Sequence, residues 1–209
     1  MRKVISFSVW GTERDYLIGA EKNAKIAPKV YPGWETWFYV EQGTKVELED
    51  KADKVIYYEP EPGSDGMFQR FRPMQDSTVD VFISRDCDSR LSDREYQAVQ
   101  EWLQGEKQFH AMRDHQAHAI PVLGGMWGAK RNGLINLDFV FNGLCSHKNS
   151  HYFDDQRGLA SYYNMLSGLF LEHDDALRFN GKPFPKHKPM VYGSFVGERI
   201  TWEDKEGRV

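Results

Sequence analysis

The stretch richest in chemistry runs Val79-Asp80-Val81-Phe82-Ile83-Ser84-Arg85-Asp86-Cys87-Asp88-Ser89-Arg90. An apolar run suited to a buried strand ends directly in two carboxylates, Asp86 and Asp88. In open α/β sheets, ligands bind beyond the carboxyl ends of strands. Two carboxylates placed there can hold Mg²⁺ or Mn²⁺, hard cations that keep water and phosphate oxygens as their other ligands. Such a cation neutralises a diphosphate, and Arg85 and Arg90 could pair with phosphate beside it. A capped surface turn uses the same tripeptide, so both readings stand at this point.

Four further stretches carry reactive side chains. His110-Ala111-Met112-Arg113-Asp114-His115-Gln116-Ala117-His118 reads as a polar wall of an active site or as loop histidines. With His147 and His151 it could also bind zinc, but neither a Cys pair nor an HExxH helix accompanies it. Gly124-Gly125-Met126-Trp127-Gly128 reads as a glycine-rich bend. Its glycines would let backbone approach a ligand, and Trp127 would stack on a sugar or fill a core. The spacing matches neither GxGxxG nor the P-loop. Asp154-Asp155-Gln156 opens a helix, where acids cap an N-terminus or serve as a general base. In Leu171-Glu172-His173-Asp174-Asp175, His173 is either a third metal ligand or an ordinary hydrogen-bonded histidine.

These residues need elements to hold them. Val4 to Val9 reads as a buried strand, and Arg14 to Val30 spaces its apolar positions for a helix that Tyr31-Pro32-Gly33 stops. Strands follow at Thr36–Val40, Val55–Tyr58 and Val79–Ser84, with a short helix over Met67–Met74. Ser92-Asp93-Arg94-Glu95 is a capping box opening a helix with Tyr96, Val99, Trp102 and Leu103 on one face. Beyond it the pattern predicts a strand at Phe109–Met112, helices at Leu134–Phe141 and Asp154–Leu166, and a last strand at Leu169–Leu171. Strands alternating with helices predict an α/β sheet, mostly parallel and covered on both faces. Neither a repeat nor a Pro/Gly/Ser linker divides residues 1–209, so one domain is expected.

Composition narrows the function. A formal charge of −4 argues against a protein that coats nucleic acid electrostatically. Two cysteines, Cys87 and Cys145, read as reduced thiols, and the chain as cytoplasmic, in a host cytoplasm if it is viral. None of its apolar runs approaches the roughly 18 residues of a membrane span.

Together these stretches resemble small soluble glycosyltransferases of the GT-A type, including domains of large DNA viruses and related bacterial proteins. The carrying segments are Phe7-Ser8-Val9-Trp10-Gly11, Gly66-Met67-Phe68-Gln69-Arg70-Phe71, Ser84 to Arg90, and Met112-Arg113-Asp114-His115. They continue with Gly124 to Gly128, Asp154-Asp155-Gln156, His173-Asp174 and Phe195-Val196-Gly197-Glu198, in order along nearly the whole chain. The stretch Gly43–Asp65, with little strand–helix rhythm, departs from the pattern, as does Gln69, a position often aromatic in such proteins.

The resemblance implies a GT-A nucleotide-diphospho-sugar transferase fold and transfer from a nucleotide sugar to a hydroxyl of a glycan or glycoprotein. UDP is the expected nucleotide, with GDP open. Val9, Trp10 and Gly11 would lie near the base. Asp88 and Asp86 would sit at a Mn²⁺ or Mg²⁺ ion, and His173 would match a later metal-ligand position. Arg70 and Arg113 would face phosphate or sugar, while Asp114, Gly125 and Trp127 would shape the sugar pocket. For an inverting reaction Asp155 is the candidate base, with Asp154 and Asp114 behind it. A hydroxylated DNA base is an alternative acceptor, motivated by Lys130, Arg131, Lys182, Lys186, His187 and Lys188. A non-catalytic nucleotide-sugar-binding module is the remaining alternative.

Overall fold

The computed structural model describes residues 1–60, 65–148, 153–176, 179, 181–186 and 195–201. Among them, seven strands form one sheet: β1 (Lys3–Val9), β2 (Glu35–Glu41), β3 (Lys54–Tyr58), β4 (Val81–Arg85), β5 (Phe109–Arg113), β6 (Met126–Lys130) and β7 (Phe170–Asp174). Their order is β3-β2-β1-β4-β6-β5-β7. The β1/β2, β1/β4, β2/β3 and β5/β7 pairs are parallel, and β6 runs antiparallel between β4 and β5. The expected mixed, mostly parallel α/β sheet is therefore observed. Helices α1 (Arg14–Val30), α2 (Asp65–Gln69), α3 (Asp93–Gln104), α4 (Leu137–Cys145) and α5 (Asp154–Leu166) accompany it.

Both faces of the sheet are buried, which explains why the central strands read as continuous apolar runs. One layer gathers Val4, Trp37, Phe71, Phe82, Phe109 and Trp127 with Leu144 of α4 and Leu159 of α5. The other gathers Ile5, Phe7, Val9, Phe38 and Ile83 with Ala20, Ala24 and Ala27 of α1 and Val99 and Trp102 of α3. The small side chains of α1 let that helix approach the sheet closely. At Gly19 the approach is closest: a Cβ there would overlap the carbonyl of Cys87.

Several elements depart from expectation for local reasons. The Met67–Met74 helix is split into α2 and a 3₁₀ turn at Arg72–Gln75, because Pro73 cannot donate to a continuing helix. Helix α4 begins at Leu137 instead of Leu134, where Asn136 Oδ1 accepts from the N–H groups of Asp138 and Phe139 at 2.8 and 3.2 Å. At α3 Ser92 Oγ accepts from the Glu95 N–H at 3.3 Å, but the Glu95 carboxylate turns inward to Tyr31 and Arg85 instead of closing the box. The glycine-rich bend is in fact β6. Glycine weakens a strand's sequence signal, yet at Gly128 it is required, since a Cβ would lie 2.7 Å from the Phe82 carbonyl oxygen. The last strand extends to Asp174 and so carries His173. Among the described residues, no helix is long and apolar enough to cross a membrane.

Candidate functional site

Strands β1 and β4 are parallel neighbours, so Trp10 and the Asp86–Asp88 turn emerge at the same edge of the sheet. Helix α1 holds that turn from behind. Asn23 Nδ2 donates to the Ser89 carbonyl at 2.8 Å, and its Oδ1 accepts from the Leu91 N–H at 3.1 Å. The turn borders a narrow cleft of about 80 Å³ lined by Trp10, Tyr16, Met67, Arg70, Asp86, Asp88, Asp155 and Gln156.

Arg70 is the hub of this cleft. It is buried; Nη1 donates to Asp86 Oδ1, and Nη2 donates to Asp155 Oδ2 at 2.6 Å. Burial opposes the charged guanidinium, but Asp86 and Asp155 outweigh that cost and hold its pKa above the usual range. Asp155 sits in the first turn of α5, and its Oδ1 accepts from the Gln156 N–H at 2.8 Å. Burial pushes the Asp155 carboxyl up, against the pull of Arg70. The two glycines ahead of β6 make room for this arrangement. A Cβ at Gly124 would overlap the Asp155 carboxylate, and one at Gly125 would overlap that of Asp86.

Asp88 is a second perturbed acid of the cleft. Burial, and then the charge of Asp86, raise its pKa to about 6, although Arg199 and a hydrogen bond from Tyr16 act in the opposite sense. The site thus has more negative charge than its local cations balance. That excess, with oxygen donors on Asp86 and Asp88, fits Mg²⁺ or Mn²⁺, ions bound through one or two carboxylates plus substrate phosphate. It does not fit an ion caged wholly by protein: among the described residues no group of three or more His, Cys, Asp or Glu is placed to hold a metal ion. Trp10 closes one side of the cleft, its ring so close to α2 that a Cβ at Gly66 would lie 2.7 Å from it. Gly11 ends β1 with φ at +71°, the left-handed region that favours glycine, while Val9 packs in the layer beneath α1.

Several expected site residues lie elsewhere. Arg85 points into the protein and pairs with Glu95 at 3.2 Å. Arg113 is fully buried; it binds Asp174 at 3.0 Å, Glu172 and the Pro121 carbonyl instead of a donor. Asp114 accepts from Arg94 through both oxygens, at 2.8 and 2.9 Å, and from the Val196 N–H at 2.9 Å. Asp154 is buried beside Arg157 at 3.6 Å and does not line the cleft. Trp127 is a core residue, edge-on to Phe71 and Phe82 with ring centroids 5.2 Å away from each. Buried charges need partners, and these residues find theirs within the fold.

His173 also lies apart from the lining of the cleft. It lies buried on β7, where Nδ1 is 2.8 Å from His110 Nε2 and Nε2 is 3.5 Å from Glu101. It joins neither Asp86 nor Asp88 in the lining of the cleft. Burial pushes both histidines down, His173 to about 4 from 6.5, with Asp175 and Arg94 acting on it in opposite senses. The native state therefore keeps His173 neutral where an unfolded chain would protonate it. The stability this confers is present above pH 6.5 and is lost as pH falls towards 4, by about 3 kcal/mol. Urea unfolding between pH 7.5 and 4 should show that slope, and His173→Gln should reduce it to the share that His110 keeps. An unchanged slope in the variant would assign the acid sensitivity to other groups.

The other histidines and the basic residues are also engaged. His115 stacks on Phe195 with centroids 4.2 Å apart, and His118 Nδ1 accepts from the Asp114 N–H at 2.9 Å. Lys182 pairs with Glu101, and Lys186 with Asp93. Lys130 donates to the carbonyls of Trp102 and Gly105 at 2.9 and 2.6 Å, and Arg131 to those of Val79 and Asp76, both at 2.7 Å. His151, His187 and Lys188 lie outside the described residues. Sequence reasoning missed Tyr16 and Arg199. Tyr16 falls in the first turn of the helix that follows β1, a placement that could have marked it.

The mixed sheet shares its fold with solved glycosyltransferases, as the resemblance implied. One solved structure with this fold is a glycosyltransferase involved in the glycosylation of the major capsid of PBCV-1. It is 13% identical, aligns over 83% of this chain and 82% of that one, and has a TM-score of 0.53. Another is the glycosyltransferase GlyE of Streptococcus pneumoniae TIGR4, 15% identical over 83% of this chain, with a TM-score of 0.50. The match spans 45% of the GlyE chain. No protein-family model and no curated protein sequence matches the chain. At these identities the likeness is one of fold.

Proposed function

We propose that this chain is a metal-dependent glycosyltransferase moving a sugar from a nucleotide-sugar donor, UDP-linked in the first instance, to a hydroxyl of a glycan or glycoprotein. The observation that carries this reading is the convergence of Asp86, Asp88, Arg70 and Asp155 at the carboxyl end of β4. Asp88 and Asp86 would hold Mn²⁺ or Mg²⁺, which when bound would supply Lewis-acid stabilisation of the departing diphosphate. Trp10 and Tyr16, whose rings lie 6.3 Å apart, flank the nucleotide. Arg70 keeps Asp86 and Asp155 at a fixed separation, so that the reacting groups are held in place instead of searching for one another.

Two stereochemical routes use Asp155 differently. In an inverting route it takes the proton of the acceptor hydroxyl as general base. Its engagement by Arg70 and by the Gln156 N–H favours a second reading, with retention, in which Asp155 orients the donor sugar and accepts no proton. The anomeric configuration of the product, read by NMR, separates the two. A protein or glycan acceptor is preferred to DNA, because Lys130, Arg131, Lys182 and Lys186 already have partners within the chain. The description of the PBCV-1 neighbour points the same way.

The test is thermal stability against nucleoside diphosphates and nucleotide sugars, with and without Mn²⁺. A ligand that binds the native state alone stabilises it by about 2.7 kcal/mol at a hundred times its Kd. A Mn²⁺-dependent rise with UDP is expected, followed by release of free nucleotide as donor is hydrolysed. A rise without nucleotide release would favour a binding module. No rise with any nucleotide would overturn the reading.

A further inference from the structure

The segment 195–201 lies as a strap beside the Asp88 turn. Its path is fixed at four points. Phe195 stacks on His115, and the Val196 N–H donates to Asp114 Oδ2 at 2.9 Å. Gly197 takes φ of +81° where a Cβ would come 2.5 Å from Met126 Sδ. The Ile200 N–H donates to the Asp88 carbonyl at 2.8 Å. A strap bound in this way delivers Arg199 to one place. Its Nε lies 3.7 Å from Asp88 Oδ2, its Nη2 lies 3.3 Å from Asp15 Oδ2, and its guanidinium sits 5.8 Å from the centre of the Tyr16 ring.

The cations of the site are divided unevenly. Arg70 serves Asp86 and Asp155. Arg90 donates to the carbonyls of Cys87 and Ser89 at 3.1 and 2.9 Å and reaches Asp88 through its charge but not through an ion pair. Arg199 is the guanidinium that the described ion pairs assign to Asp88. Its side chain is 56% exposed while that of Asp88 is 14% exposed, and its hydrogen bond goes to Asp15. The cleft itself, at about 80 Å³, is far below the several hundred that ligand pockets of drug size offer.

We propose that Arg199 is the resident counter-cation of Asp88, holding the place of the divalent ion in the unloaded cleft and competing with that ion for the carboxylate. This rests on the metal reading above. The backbone bond from Ile200 to the Asp88 carbonyl leaves the carboxylate free to exchange partners, so the side chain can swing out while the strap stays in place. Metal affinity in the absence of nucleotide is then set partly by how readily Arg199 leaves.

The experiment is Mn²⁺ binding to the full chain without nucleotide, read as free Mn²⁺ by electron paramagnetic resonance. Arg199→Gln is expected to bind Mn²⁺ about threefold to fivefold more tightly than the wild type, the factor that one solvent-facing ion pair supplies. Lys25→Gln removes the same charge from an exposed position of α1 and should leave the affinity unchanged. Asp88→Asn should lose the binding. Equal affinity in Arg199→Gln and wild type, with loss in Asp88→Asn, overturns the competition while the metal reading stands. A gain shared by Lys25→Gln also overturns it, by making the effect one of net charge. Absence of Mn²⁺ binding in wild type and Arg199→Gln alike overturns both.

Discussion

Asp88→Ala is expected to lower sugar transfer by about a thousandfold or more and to leave the protein folded. The loss follows from removing a ligand of the ion that stabilises the leaving diphosphate, a contribution of several kcal/mol to the transition state. The fold survives because the native state gains nothing from this carboxylate. Burial and the neighbouring Asp86 push it up to about 6, so at neutral pH it is charged in a place that disfavours charge. Asp88→Asn should accordingly melt no lower than the wild type, and raised stability together with lost activity would mark a residue kept for chemistry. The measurement pair is donor consumption and thermal melting on the same preparation. Transfer persisting within tenfold of wild type in Asp88→Ala would remove the ion from Asp88.

Arg113→Ala should do the opposite, costing about 3–5 kcal/mol of stability. The side chain is fully buried, and its removal would strand Asp174, itself fully buried, beside Glu172. One oxygen of Asp174 already meets no hydrogen-bond partner among the described residues. Leaving such a charge uncompensated is far worse than never having built the pair. Arg113→Lys should not rescue it, because an ammonium cannot reach Glu172, Asp174 and the Pro121 carbonyl as the guanidinium fork does. Urea unfolding decides the matter. A loss below about 1 kcal/mol, joined to a raised KM for donor, would return Arg113 to the donor site.

The contrast between these residues explains what was legible in the sequence. Strand β4 and the Asp86–Asp88 turn were readable because the apolar run and the two acids are adjacent, so local pattern alone places carboxylates past a strand. Helix α1 was readable from its spacing, from Arg14 to Val30. Arg113, Asp114 and His173 carry the same residue types in an equally suggestive order, yet they belong to a buried network joining β5, β7 and α3. Its partners are far apart in the chain, as with Arg113 and Asp174 at 61 positions, and spacing records nothing of such pairings. Arg85 was misplaced by a parity effect. In a strand successive side chains face opposite ways, and Arg85 faces α3 and Glu95. Trp127 was hidden by its glycine neighbours, which made a central strand look like a turn.

The strand order also governs how the chain reaches this state. β1 pairs with β4, whose first residue is made 72 residues after Val9. At about 5–20 residues per second of synthesis, that edge of β1 waits about 4–14 s for its partner. β4 then waits for β6, and β5 for β7, so each successive sheet edge stays open until a distant stretch arrives. Topologies dominated by such distant pairings fold slowly, and their exposed apolar edges invite chaperones. The two acids of the turn are synthesised long before Asp155, which completes the grip on Arg70. A nascent chain stopped short of α5 would display the acidic turn without a finished cleft around it.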